Sequence, residues 1–360
     1  MKKKIIAMLC VATMCASFVV GCGSTEETTS NTANNATTGE ATTATDTAAS
    51  TASGALKTGL GTSVSIADSV NASAEGDGTA QCDATIAAVT VDENGVVVEC
   101  AIDIAQTRIG ISADGKITSD FNAEYPSKQE LGDAYGMKQA SAIGKEWYEQ
   151  ANAFADWTVG KTANEISGMA ISQGLASDAD LAASVSIHVT GFQAAVTEAI
   201  ANATAGGAQA GDKLGLGLTT SISNSVDASA EADGEAQAYT TISVVTVDAN
   251  GVITSSIIDA VQAKIGFDST GAITADLSQD VRSKNELGDE YGMKKASAIG
   301  KEWNEQAAAY AAYTVGKTAQ EVAGTAIEAG LVTDADLAAS VSVHVTDFNK
   351  AIAKSTANAK

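Results

Sequence analysis

Alternation of apolar and polar positions dominates the first half of two long stretches of this chain. "ATIAAVTV", the cluster "DENG" and "VVVECAIDIA" read as two antiparallel strands joined by a tight turn. "RIGIS", "ADGK" and "ITSDF" extend the series into a meander, and "DANG" and "DSTGA" repeat its turns later in the chain. Beyond each meander the apolar period lengthens to that of a helix. Ser127-x-x-Glu130, Thr162-x-x-Glu165, Ser283-x-x-Glu286 and Thr318-x-x-Glu321 read as capping boxes. A helix is predicted around 143–158, with Trp147, Ala151 and Phe154 on one stripe, mirrored by Trp303, Ala307 and Tyr310. A stripe of that spacing reads first as core. The predicted class is α+β: two homologous domains, each an antiparallel sheet followed by packed helices.

The two stretches are copies. Asp92 matches Asp248, Gly132 matches Gly288 and Asp180 matches Asp336, each 156 residues apart. A unit of that length suits a domain rather than a solenoid repeat. The boundaries read as 56–206 and 211–360, joined by "ATAGGAQAG". Divergence is uneven. Residues 96–108 keep 4 of 13 identities with their counterparts, whereas residues 131–150 keep 17 of 20 and residues 178–192 keep 13 of 15. The two well-kept segments either pack on each other or line one site.

The second of them, "DADLAASVSIHVTGF", alternates Val185, Ile187 and Val189 with Ser184, Ser186, His188 and Thr190. That period predicts a short strand with its valines in the core and Ser186 and His188 on an open face, followed by a helix from Thr190. A serine nucleophile with a histidine base is disfavoured, because side chains two apart on a strand stand parallel, nearly 7 Å apart. One histidine per domain with scattered acids such as Glu75, Asp77 and Asp83 matches no metal-ligand spacing. A hydroxyl presented for covalent modification is the third use.

Composition and charge narrow the partners. Of 360 residues 45% are hydrophobic but only 4% aromatic, so the cores are built from small and β-branched side chains. The net charge of −23 repels phosphate backbones and makes nucleic acid an unsuitable partner. Residues 2–4 are lysines, residues 5–20 form an apolar run too short to span a membrane, and Val19-Val20-Gly21-Cys22 resembles a bacterial lipobox. By that resemblance residues 1–21 are a lipoprotein signal peptide and Cys22 is acylated, as by palmitate. The protein would then sit lipid-anchored on the extracytoplasmic face of the cell membrane. Residues 22–55 read as the lipidated cysteine and a Thr/Ser-rich tether spanning roughly 30 Å. Cys82 and Cys100 remain. The hairpin register puts Cys82 opposite a residue near 105, which disfavours an intramolecular disulfide.

Asp180-Leu181-Ala182-Ala183-Ser184-Val185-Ser186, with its double ending at Ser342, resembles the flavinylation motif of bacterial FMN-binding domains. The acceptor is serine where threonine is commoner, and Val185 stands at a position that is normally small. The resemblance implies an electron-carrying lipoprotein in which a flavin transferase joins FMN phosphate to Ser186 and Ser342. Asp180 and Asp336 would open the two motifs, and a membrane quinone-linked donor would supply electrons. It further makes "LGDAYGMK" and "LGDEYGMK" candidate flavin beds, with Tyr135, Met137, Tyr291 and Met293 against the ring and Lys138 or Lys145 balancing charge. The function implied is electron relay rather than turnover of a dedicated substrate. The alternative is a surface lipoprotein whose doubled domains bind a small ligand or protein partner without flavin.

Overall fold

Two long hairpin-linked sheets, one per sequence repeat, are laid face to face and carry helices on their outer sides. The computed structural model describes residues 54–360; the signal segment, Cys22 and nearly all of the tether lie outside the described residues. In the first repeat β1 (Ala55–Ser65), β2 (Gly78–Val91) and β3 (Val97–Ile111) are antiparallel. They are followed by α1 (Lys128–Leu131), α2 (Trp147–Thr158), α3 (Ala163–Ser167), a miniature hairpin β4–β5 (Ile171–Ser172 and Leu175–Ala176), α4 (Ala179–Ala182) and α5 (Thr190–Ala201). The connector forms β6 (Thr204–Gln209). The second repeat has the same order: β7 (Lys213–Ser221), β8 (Gly234–Val247), β9 (Ile253–Phe267), α6 (Lys284–Leu287), α7 (Trp303–Thr314), α8 (Ala319–Ala323), β10–β11 (Ile327–Glu328 and Leu331–Val332), α9 (Ala335–Ala338) and α10 (Thr346–Asn358). The fold is α+β.

Alternation along the strands sorts the side chains into three cores. Leu60, Ile86, Ala105 and Ile109 point inward and meet Leu216, Ile242, Val261 and Phe267 of the facing sheet. On the outer faces, Val89, Ile102 and Ile104 pack beneath Trp147, Phe154 and Phe192, and Val245 and Ile258 beneath Trp303, Tyr310 and Phe348. The aromatic stripes are core, in rings packed edge-on or tilted. Helix α5 lies so close to β1 that a Cβ on Gly59 would sit 1.9 Å from the Ala199 carbonyl oxygen; Gly215 meets Ser355 of α10 at the same distance. These glycines admit a helix where any side chain would hold it off.

The turns form as their residues dictate. Asp92 accepts from the N–H groups of Asn94 and Val96, and Gly95 takes a positive φ of 77°. The predicted fourth strand of the meander does not form. Residue 117 makes only a bridge to Ile111, and its N–H is claimed by Asp227 of the other repeat at 2.8 Å. The hairpin register sets Cys82 opposite Thr107, two residues beyond 105: one comes from the five-residue loop 92–96 and one from the bulge after Thr90. Cys82 faces the inter-sheet core, Cys100 the helices, and both are free. Burial pushes each thiol up to about 12.

The repeats meet through reciprocal contacts. Ile117 N–H donates to Asp227 and Ile273 N–H to Asn71, both at 2.8 Å; Ala72 N–H donates to Gly271 and Ala228 N–H to Gly115, both at 2.9 Å. The connecting strand β6 pairs with β1 and rests on β9, and β1 itself reaches β9 where the Thr58 and Ser255 hydroxyls are 2.7 Å apart.

Candidate functional site

The two best-kept segments meet at one buried amide. Gln150 of α2, with no exposed surface, donates through Nε2 to the Ser141 hydroxyl at 3.1 Å and the Lys145 carbonyl at 3.0 Å. Its Oε1 accepts from the Ser186 N–H at 2.8 Å and the Ser186 hydroxyl at 3.1 Å. Gln306 does the same for Ser297, Lys301 and Ser342. Glu146, just before α2, accepts from the N–H groups of Met137 and Lys138 at 2.8 and 3.1 Å, and Glu302 from those of Met293 and Lys294. Loop 132–146 and segment 184–189 are therefore fastened to the start of one helix.

The expected strand at Ser186 is absent. Residues 183–189 form an irregular link between α4 and α5. Their backbone donors are spent elsewhere: Val185 N–H on Leu181, Ser186 N–H on Gln150 and Val189 N–H on Gly174, which leaves no ladder to build. Val185 and Val189 are buried, Ser186 is half-buried and His188 exposed. The His188 ring lies over Gly174 at the tip of the β4–β5 hairpin, where Gln173 takes a φ of 52°; a Cβ on Gly174 would meet the imidazole at 3.1 Å. His344, Ala329 and Gly330 repeat the arrangement.

The remaining candidates divide. Tyr135 and Met137 pack partly buried against the outer core, and Tyr135 donates its hydroxyl to Gln106 at 3.3 Å. Tyr291 and Met293 do likewise, Tyr291 reaching Gln262 at 3.1 Å. Asp180 and Asp336 are exposed in α4 and α9, two residues after Asp178 and Asp334, which cap those helices and each accept at 2.9 Å. Ser186 and the Tyr135 loop are brought together; Asp180 stands apart. The fit to a phosphoester can be tested on Gln150. Joining phosphate to the Ser186 oxygen removes that hydroxyl as a donor, but the Ser186 N–H still occupies Gln150 Oε1, so no buried polar atom is orphaned. The hydroxyl bond to Oε1 is therefore the one that esterification would cost Gln150.

Sequence reasoning missed the lysine box. Lys284 is buried with its ammonium over the rings of Tyr239, Tyr291 and Trp303 at 4.5, 4.4 and 4.8 Å, and it donates to the Tyr239 hydroxyl at 2.9 Å. Burial pulls this amine down to about 7, against the pull of Asp259. Lys128 sits over Tyr135 and Trp147 at 4.9 and 5.4 Å, with Asp83 at the position of Tyr239. Its only sequence signal was a lysine one residue into each capping box.

Two clefts open along the seam between the repeats. One, of about 570 Å³, is bordered by Asp103, Gln129, Glu130, Asn152, Leu216 and Asn358; the other, of about 520 Å³, by Leu60, Glu198, Asn202, Asp259, Asn285 and Glu286. Neither borders Ser186 or Ser342. Asp103 and Asp259 are pushed up to about 7, chiefly by burial, although backbone N–H groups of Gln129 and Asn285 donate to them. Among the described residues no group of three or more His, Cys, Asp or Glu side chains is arranged to hold a metal ion, and no helix is long and apolar enough to cross a membrane.

Comparison with known proteins adds one partial likeness. Over 93 residues the chain is 32% identical to a chlorophenol reductase of Desulfitobacterium hafniense, covering 23% of this chain and 28% of that protein. The chain thus spans little more than a quarter of that curated relative. No family model and no solved structure matches.

Proposed function

We propose that this protein is a membrane-anchored, extracytoplasmic lipoprotein that relays electrons through FMN carried at Ser186 and Ser342. The observation that carries the reading is the doubled arrangement around Gln150 and Gln306. Each fixes a half-buried serine beside a loop bearing a tyrosine and a methionine, and each keeps its bond to the serine N–H whether or not the hydroxyl is free. FMN would supply the one- and two-electron chemistry. The chain's part is to hold the phosphate-bearing oxygen at a set position and to offer Tyr135, Met137, Tyr291 and Met293 as apolar surface beside it. The partial likeness to a protein named as a reductase is in keeping with redox work. The transferase and a quinone-linked donor are the partners this requires.

The test is the intact mass and visible spectrum of denatured protein after co-expression with a flavin transferase. Two FMN-sized increments are expected, one lost in Ser186→Ala and the other in Ser342→Ala. Unmodified mass from cells that contain the transferase would overturn the reading. A second reading, ligand or partner binding without flavin, is favoured by the paired seam clefts, whose volumes fall in the small-molecule range of roughly 300–1,000 Å³.

A further inference from the structure

The two seam clefts are built from equivalent positions yet differ in charge. At the larger one Glu130 Oε1 pairs with Lys354 Nζ of α10 at 2.5 Å. At the other, the equivalent of Lys354 is Glu198 of α5, and it faces Glu286. One residue of β1 clamps both acids. Thr62 donates its N–H to Glu198 Oε2 at 2.7 Å and its hydroxyl to Glu286 Oε2 at 2.9 Å. Asn202 Nδ2 adds a bond to Glu198 Oε1 at 3.3 Å. The equivalent of Thr62 in the second repeat is Leu218, which could not make such a clamp. Two carboxylates gathered on one threonine repel unless one of them is protonated.

We infer that the Glu198–Glu286 seam is a proton-operated latch between the repeats: the two carboxyls share one hydrogen while the seam is closed, and its loss sets them against each other while the Glu130–Lys354 seam stays shut. Burial first, and then the proximity of Glu286, push Glu198 up to about 7. Two other charged groups border the cleft. Asp259 on β9 is a further acid; Arg282, whose ion pair is made with Glu290, acts on Glu286 only as a weaker, longer-range positive charge. From β1 and α5 the groups facing the pair are Thr62 and Asn202, which do not titrate. The sign follows. A carboxyl that holds its proton more tightly in the folded state stabilises it fully below about pH 4.3, and that contribution is lost as pH rises through about 7.

Two measurements on the full-length chain test this. Carbon-13 titration of the glutamate carboxyls, assigned with Glu198→Gln, is expected to show Glu198 releasing its proton near neutrality. Release in the ordinary range near about 4.3 would sink the latch. Thermal melting between pH 5 and pH 8 gives the second readout. Glu198→Lys, which copies the other seam, is expected to melt roughly 2–4 °C above the unaltered protein at pH 8 and to show the smaller loss between the two pH values. A midpoint at or below that of the unaltered protein at pH 8 would overturn the inference. Should Glu198→Lys fail to fold, the titration of the unaltered protein still decides it.

Discussion

Gln150 makes four hydrogen bonds from a position with no solvent access, two from each end of its amide. Gln150→Leu keeps the volume and strands the Ser186 N–H and the Lys145 carbonyl, so urea unfolding should show a loss of about 1–3 kcal/mol for each stranded group. Gln306→Leu should cost a similar amount. An unchanged midpoint in either variant would mean that the segments are held by something else. Lys284 belongs to the same scale. Its ammonium has exchanged water for three aromatic faces, and in the first repeat the third face is replaced by the Asp83 position. The two copies thus surround equivalent lysines with different chemistry.

At the scale of elements, the strands and helices follow from local rules. The Asp-x-Asn-Gly turns, the capping boxes and the aromatic stripes all lie where the sequence puts them, because each is closed by residues within a few positions of one another. What escaped was set by distant partners. The Val185-Ser186-Ile187 alternation reads as a strand, yet its N–H groups are taken by Gln150 and by neighbouring helix and hairpin residues, contacts invisible to a period-two pattern. The near-identity of residues 131–150 and 178–192 made legible that two segments pack on each other or line one site, but not Gln150 as their joint or Asp178 as a helix cap. Nor did composition disclose why Gly59, Gly61, Gly215 and Gly217 are bare. Adding a methyl at Gly59 drives it into the Ala199 carbonyl, so Gly59→Ala should destabilise by about 1–3 kcal/mol through displacement of α5, read by chemical denaturation. A neutral result would show that α5 can lift freely from β1.

For the whole molecule the inter-sheet core decides behaviour. Leu60, Ile66, Ile86, Ile109 and Ile111 of the first repeat are buried only because the second repeat's sheet covers them or its own loops close around them. The contacts between repeats are reciprocal, as in a two-fold dimer. Residues 56–206 made alone should therefore self-associate, with one copy standing in for the missing half. Sedimentation should report a dimer, and a folded monomer would show that the first repeat can close its own core. The connector carries a further consequence. Because β6 is laid into one sheet and against the other, Ser186 and Ser342 belong to one compact unit. On the proposed reading, two flavins joined there would share one scaffold instead of meeting by diffusion of separate modules.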